Sequence, residues 1–122
     1  MNKAVLSLNI NKTTNALMNE IISEKFELIE FDDVFEAASE LKRRKDIKVI
    51  IVDIEHENTD YLNFVYHVKT SRFYNKPMLI LTSYHNNALN DKLKDVQIEC
   101  LIYKPFSPME VLRYIEKTLL SN

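Results

Sequence analysis

The chain has 122 residues, 46% of them hydrophobic and 28% charged, a balance typical of one globular domain with a single core. Its 16 basic and 18 acidic residues give a net charge of -2, so electrostatics gives no reason to expect nucleic acid or an anionic membrane as a direct partner. No apolar run approaches the roughly 20 residues of a membrane span, no signal peptide is recognisable, and Cys100 is the only cysteine. We therefore expect a single cytoplasmic domain over residues 1–122, without an output domain.

Five short apolar runs alternate with five stretches of helical spacing, which predicts a (βα)5 chain. Strands that are separated by helices run parallel with right-handed crossovers, and this arrangement gives a three-layer α/β/α sandwich. The absence of glycine argues against the glycine-rich phosphate loops of nucleotide-binding α/β proteins. The predicted strands are Ala4–Asn9, Phe26–Phe31, Val49–Asp53, Met78–Thr82 and Cys100–Tyr103.

Each predicted helix has an apolar face or a start signal. Leu17, Met18, Ile21 and Ile22 form the expected buried face of the first helix. The second helix begins after Asp33 as N-cap, the third spans Asp60–Ser71, and the fourth, Asn87–Lys94, has a thin apolar face that predicts a weakly held helix. For the fifth helix the start signal is Ser107, Pro108 and Glu110.

Reactive side chains follow three of the strands, where parallel α/β sheets collect ligands and chemistry. They are Asp53 at the end of the third strand, Thr82 at the end of the fourth, and Lys104-Pro105-Phe106 after the fifth. A phosphoryl acceptor needs a carboxylate nucleophile, a cation and a hydroxyl donor, and these residues supply one of each.

These positions and their spacings resemble the receiver domain of two-component response regulators, over the whole chain. The resemblance implies a CheY-like, flavodoxin-like sheet of order 2-1-3-4-5, which is the order of that family's chemotaxis member. It also implies that Asp53 accepts a phosphoryl group from a histidine kinase or phosphotransfer protein, that Thr82 and Lys104 bind phosphoryl oxygens, and that Mg2+ is the cofactor. The Lys104-Pro105 bond is usually cis in that family.

The sequence departs from the family at the metal site. The two acidic residues that usually end strand 1 correspond to Asn9 and Ile10, so we expect Mg2+ binding to be weak or absent. Asp53 remains as a metal ligand, and Glu55, two residues further on, points to the same side if the strand continues. Glu55 is thus a candidate metal ligand, although a solvent-facing loop residue is the simpler interpretation of it. Asn11 becomes a further candidate only if Mg2+ stabilises the wild type.

The switching and partner positions also differ. Leu101 stands three residues before Lys104, where the family usually has the strand-5 aromatic residue, and Glu55 and Tyr84 are the modulating residues expected to flank the phosphoryl group. The resemblance places a protein target or a homodimer contact on the face formed by helix 4, strand 5 and helix 5. Aromatic residues are expected near this face, namely Tyr74, Tyr84, Tyr103 and Phe106.

Two functions follow from these residues. The first is a receiver domain that is phosphorylated on Asp53 and is not an enzyme with a diffusible substrate. The alternative is a degenerate receiver that is not phosphorylated and acts as a constitutive interaction or dimerisation module. Other chemistry finds little support, because His56, His67 and His85 lack the close pairing of a zinc site and Cys100 has the setting of an inert core thiol.

Overall fold

A computed structural model describes residues 3–56, 58–83 and 87–120 of the chain. Within these ranges five strands alternate with five helices, as the hydrophobic pattern predicts. The strands are β1 (Ala4–Leu8), β2 (Glu27–Phe31), β3 (Ile47–Ile54), β4 (Met78–Thr82) and β5 (Cys100–Tyr103). The helices are α1 (Lys12–Ile22), α2 (Val34–Arg43), α3 (Thr59–Lys69), α4 (Asn87–Lys92) and α5 (Pro108–Leu120).

All strand pairs are parallel and the sheet order is β2-β1-β3-β4-β5, which confirms the predicted 2-1-3-4-5 arrangement. Side chains that alternate along the strands build one core with α2, α3 and α4 and a second core with α1 and α5. The three-layer α/β/α sandwich is therefore confirmed as well. None of the described helices has the length and apolar character that crossing a bilayer requires.

The predicted buried face of α1 is partly wrong. Met18 and Ile22 are fully buried, but Leu17 is 43% exposed and Thr14 takes the remaining buried position. The buried stripe therefore repeats every four residues, because α1 presents only a narrow line to the sheet. The caps of the other helices follow the sequence signals: the Asp33 side chain accepts from the N–H of Phe35, and the Ser107 hydroxyl accepts from the N–H of Met109.

The short helix α4 ends at Lys92, two residues before its predicted end, and Leu89 is its buried residue. Leu93, just beyond it, is also buried, so the apolar contact of this segment is as thin as its sequence indicates. The strand β5, which follows it in the chain, lies at the edge of the sheet. Leu101 and Tyr103 face the same side as Ile80 and Thr82, and they remain 37% and 47% exposed.

Candidate functional site

The carboxyl edge of the sheet brings Asp53, Thr82 and Lys104 together, as the sequence predicts. Asp53 is the penultimate residue of β3 and Thr82 is the last residue of β4, in register with Ile54. Lys104 directly follows β5, and its backbone N–H donates to the carbonyl of Thr82 at 2.8 Å. The Lys104-Pro105 peptide bond that follows is cis.

Asp53 and Lys104 form an ion pair inside this edge, with Lys104 Nζ 2.6 Å from Asp53 Oδ1. The Asp53 side chain is only 1% exposed, whereas that of Lys104 is 21% exposed and reaches the pair from the surface. Asp53 Oδ2 is buried and has no hydrogen-bond partner among the described residues. The carboxylate is therefore held on one oxygen and left unsatisfied on the other.

Burial raises the pKa of Asp53, and the neighbouring Glu55 carboxylate adds to the rise, while Lys104 opposes both effects. The balance remains upward because removing a carboxylate from water disfavours its charged form. Thr82, only 1% exposed, lies beside this pair at the end of β4. The edge thus combines a desolvated carboxylate, an ammonium group and a threonine, the three chemical groups that an acyl phosphate site needs.

Glu55 lies in the loop after β3 and is partly exposed, as the simpler interpretation expects, but its carboxylate turns toward this pair. Its Oε1 lies 3.1 Å from Lys104 Nζ, and it also accepts from Asn11 Nδ2 at 3.2 Å. These two hydrogen bonds lower the pKa of Glu55, whose side chain is 43% exposed. Lys104 therefore faces two carboxylates at once.

An unusual backbone conformation directly follows Glu55 in the loop after β3. His56 has a φ of 55°, in the left-handed region that glycine occupies most easily, and the chain contains no glycine. Beyond it, Asn58 caps α3 by accepting from the N–H of Tyr61, whose hydroxyl donates to the carbonyl of Asp32 at 2.6 Å. The loop is thus tied to the β2–α2 connection.

The end of β1 offers no carboxylate to this site. Asn9 is 2% exposed, and its Oδ1 accepts from the N–H of Asn11 at 2.7 Å. Ile10 is 59% exposed. Sequence reasoning identified Asn11 as a metal ligand candidate but missed its two observed roles, the N-cap of α1 and a donor to Glu55. An asparagine directly before a helical run is a cap signal and could have revealed the first role.

The donor set fits Mg2+ poorly. Mg2+ requires several oxygen ligands in octahedral geometry, yet both carboxylates of the edge, Asp53 and Glu55, contact the Lys104 ammonium. Across residues 3–56, 58–83 and 87–120, no group of three or more His, Cys, Asp or Glu residues is placed to hold a metal ion.

The remaining predicted positions have different outcomes. Tyr84 and His85 lie outside the described residues. Tyr74 is not near the carboxyl edge: it precedes β4, and its ring lies 5.9 Å from Lys42 Nζ of α2, so its expected place near the partner face is wrong. Cys100 is partly buried, and burial raises the pKa of its thiol, which suits an unreactive thiol.

Comparison with solved structures reveals the same fold in response regulators over almost the whole chain. A chemotaxis protein CheY4 of Vibrio cholerae is 21% identical with a TM-score of 0.80, covering 97% of this chain and 99% of that one. A phosphorylated cyanobacterial phytochrome response regulator, RcpA, is 17% identical with a TM-score of 0.79, covering 100% and 97%.

A response regulator receiver protein from Pseudomonas putida is 17% identical with a TM-score of 0.80, covering 96% and 98%. Scans against protein-family models and against curated proteins gave no match. The resemblance inferred from the sequence is therefore confirmed as a receiver-domain, CheY-like fold.

Proposed function

We propose that this protein is a receiver domain of two-component signalling whose Asp53 accepts a phosphoryl group from a histidine kinase or phosphotransfer protein. The observation that carries the proposal is the 2.6 Å contact between Lys104 and a buried Asp53, beside Thr82 at the same sheet edge. An isolated carboxylate at 1% exposure would be costly, and its one pairing with Lys104 leaves Oδ2 without a partner among the described residues.

In the proposed step an Asp53 oxygen attacks phosphorus, a P–O bond forms, and the bond from phosphorus to the donor nitrogen or oxygen breaks. Lys104 balances charge on the transferred group and the Thr82 hydroxyl donates to one of its oxygens. Glu55 must give up its contact with Lys104 as the phosphoryl group arrives, because two anions would otherwise compete for one ammonium.

Signal output would use the face formed by α4, β5 and α5, toward a protein target or a second copy. Three apolar side chains support this assignment, since Leu101, Tyr103 and Met109 are each between 37% and 47% exposed. Leu101 in place of an aromatic residue suggests that output at this face does not depend on rotation of a ring. The protein acts here as a phosphorylated signalling domain of the cytoplasm and not as an enzyme with a diffusible substrate.

A second function is favoured by the contact between Glu55 and Lys104. A carboxylate already rests on the lysine that would bind the phosphoryl group, and Asn9 and Ile10 remove the usual metal ligands. A domain built in this way could act as a constitutive interaction module that is never phosphorylated.

Amide NMR in the presence of Mg2+ and beryllofluoride, a phosphoryl mimic, separates the two functions. For a phosphoacceptor we expect shifts centred on Asp53, Thr82 and Lys104 that disappear in Asp53→Asn and persist in the exposed control Asp91→Asn. An unchanged spectrum for the wild type would favour the interaction module.

A further inference from the structure

A groove of about 290 Å3 lies between α2 and α3, two helices that pack on the same face of the sheet. Its apolar lining comes from Val34, Phe35, Ala38 and Phe64, and its polar residues include Asp60 and His67. None of the described lining residues belongs to α4, β5 or α5, or to the carboxyl edge around Asp53. The groove is therefore separate from the candidate phosphoryl site and from the proposed output face.

Phe35, on one wall of this groove, is 82% exposed. Its neighbours Val34 and Ala38 are partly buried against the core, whereas Phe35 is turned outward. The fold gives no local reason for an aromatic ring here, because the hydrogen bond from Phe35 to the Asp33 cap uses the backbone N–H. Single exposed apolar residues are common, but an exposed aromatic side chain beside an apolar groove is typical of an interaction surface.

The two ends of the groove differ in charge. Both helices follow parallel strands, so they begin together at the carboxyl edge of the sheet and end together at the amino edge. Asp33 caps α2 and Asp60 lies in the first turn of α3, which makes the first end acidic. Lys42 and His67 lie in the last turns, which makes the other end basic. The surface is thus acidic at one end, apolar in the middle and basic at the other end.

A surface with this pattern is complementary to a second copy of itself. Asp60 and His67 are seven residues apart and lie on one side of α3, about two helical turns from each other. If a second copy is turned by 180° about an axis across the groove, Asp60 of each copy faces His67 of the other. Imidazole donates an N–H to a carboxylate whether it is neutral or protonated. The same rotation brings Phe35 of each copy over the groove of the other, as in a two-fold symmetric interface.

We propose that the α2–α3 groove is a contact between two copies of this chain, related by a two-fold axis. Phe35 of each copy fills the groove of the other, and Asp60 pairs with His67 across the axis. Aromatic side chains bury roughly 150–250 Å2 each, so the two Phe35 rings supply the main apolar area. Such a contact is small, so the dimer is transient, with a dissociation constant in the micromolar range. It does not depend on phosphorylation of Asp53.

Sedimentation velocity of the full chain over a range of concentrations tests the proposal, because a transient dimer raises the average sedimentation coefficient as concentration rises. We expect Phe35→Lys to weaken dimerisation about tenfold, since an ammonium group would then enter an apolar groove. The matched control is Leu120→Lys, because Leu120 is 80% exposed and lies on α5, which packs on the opposite face of the sheet. This control should dimerise as the wild type does.

Exchanging charges on α3 tests the antiparallel geometry. Asp60→Lys and His67→Glu both change exposed positions, and each should weaken dimerisation about fivefold, because a donor then faces a donor or a carboxylate faces a carboxylate. An equimolar mixture of the two variants should dimerise at least as well as the wild type. In the mixed dimer an ammonium faces a carboxylate at one end, and Asp60 faces His67 at the other.

Several results would overturn the proposal. They are a wild type that stays monomeric up to about 1 mM, equal effects of Phe35→Lys and Leu120→Lys, and a mixture of the charge variants that is no more dimeric than each variant alone. Loss of the dimer in Tyr103→Lys but not in Phe35→Lys would place the contact on the output face instead, and this would also overturn it.

If a variant fails to fold, NMR of the wild-type protein at increasing dilution decides. The amide signals of Phe35, Ala38 and Phe64 should shift with concentration. Concentration-dependent shifts confined to residues outside α2 and α3 would contradict the assignment of the groove.

Discussion

Two lysines pair with carboxylates at opposite edges of the sheet, and their surroundings differ. At the amino edge, Lys69 Nζ bonds both oxygens of Glu99, at 2.8 and 2.9 Å, and the carbonyl of Lys76 at 3.0 Å. Glu99 also accepts from the backbone N–H of Met78 at 2.9 Å, at the start of β4. Each of the three ammonium protons of Lys69 has an acceptor, and its side chain is 3% exposed.

At the carboxyl edge the pairing is incomplete. Lys104 contacts one oxygen each of Asp53 and Glu55, and Asp53 Oδ2 remains buried without a partner among the described residues. A fully satisfied network fixes one arrangement, whereas an incompletely satisfied one can accept a new group at small cost. Lys69 therefore has a structural role, and we infer that the Lys104 edge is the one open to chemistry.

Replacing each lysine by methionine tests this contrast directly and should give the largest effects. Lys69→Met leaves Glu99 and the carbonyl of Lys76 without their partner, so we expect a loss of about 2–3 kcal/mol in the free energy of unfolding. Lys104→Met should cost less, about 1 kcal/mol or below, because Asp53, whose pKa is raised by burial, can take up a proton once the ammonium is gone and so need not remain an isolated buried charge. Urea denaturation measures both values, with Lys25→Met of the exposed pair to Glu116 as the control.

Equal losses in Lys69→Met and Lys104→Met would contradict the contrast. A loss above about 3 kcal/mol in Lys104→Met would show instead that the Asp53 ion pair is structural.

Adding carboxylates at the end of β1 sharpens the contrast by supplying metal ligands to the carboxyl edge. Millimolar Mg2+ should leave the melting temperature of the wild type nearly unchanged. In the double variant Asn9→Asp with Ile10→Asp, Mg2+ should raise the free energy of unfolding by about 1–3 kcal/mol, because a ligand that binds only the folded state stabilises it. Thermal unfolding with and without Mg2+ measures this.

The same double variant should be less stable than the wild type without metal, since further carboxylates then crowd Lys104. A clear rise in the melting temperature of the wild type with Mg2+ would contradict the expectation of weak metal binding. It would make Glu55 or Asn11 the replacement ligand.

Glu55→Gln tests whether the second carboxylate on Lys104 restrains phosphorylation. Removing its charge frees Lys104 for the incoming group and removes repulsion, so we expect phosphorylation by a small phosphodonor to accelerate about tenfold, equivalent to about 1.4 kcal/mol. Quantifying phosphorylated protein over time by intact mass measures the rate, with Glu20→Gln as the matched control. An unchanged or slower rate would mean that Glu55 assists the reaction.

The raised pKa of Asp53 predicts a pH dependence of stability at the carboxyl edge. A carboxyl group whose pKa is raised by folding binds more protons in the folded state, so its contribution to stability is complete below the unfolded pKa and is lost as pH rises through the folded pKa. Asp53→Asn should therefore gain stability relative to the wild type between about pH 4 and pH 7. Urea denaturation at both pH values measures this gain, with Asp91→Asn as the control. A difference in stability between Asp53→Asn and the wild type that is the same at both pH values would refute the prediction.

Much of the fold could be predicted from the sequence because its signals are local and redundant. The β3 run from Val49 to Asp53 is apolar on both faces, as a central parallel strand requires, and Ser107 with Pro108 marks the start of α5. The positions of Asp53, Thr82 and Lys104 also followed, since parallel strands end at one edge. Where the expectation failed, as for Leu17, the exact rotation of a helix on the sheet decided the outcome.

The connections between Glu55, Asn11 and Lys104 could not be predicted, because they join residues 44 and 49 positions apart through side-chain directions set by loops. The left-handed turn at His56 is one such loop feature, and no glycine marks it in the sequence. The groove beside Phe35 likewise emerges only when α2 and α3 pack together.

The most direct test of the central claim is phosphorylation itself, followed by intact-protein mass spectrometry after incubation with acetyl phosphate and with phosphoramidate. We predict that the wild type gains the mass of one phosphoryl group, localised to Asp53, and that Asp53→Asn gains none because its amide lacks the charged nucleophilic oxygen. An unmodified wild type with both donors, or a phosphorylated Asp53→Asn protein, would contradict the assignment of Asp53 as the phosphoryl acceptor.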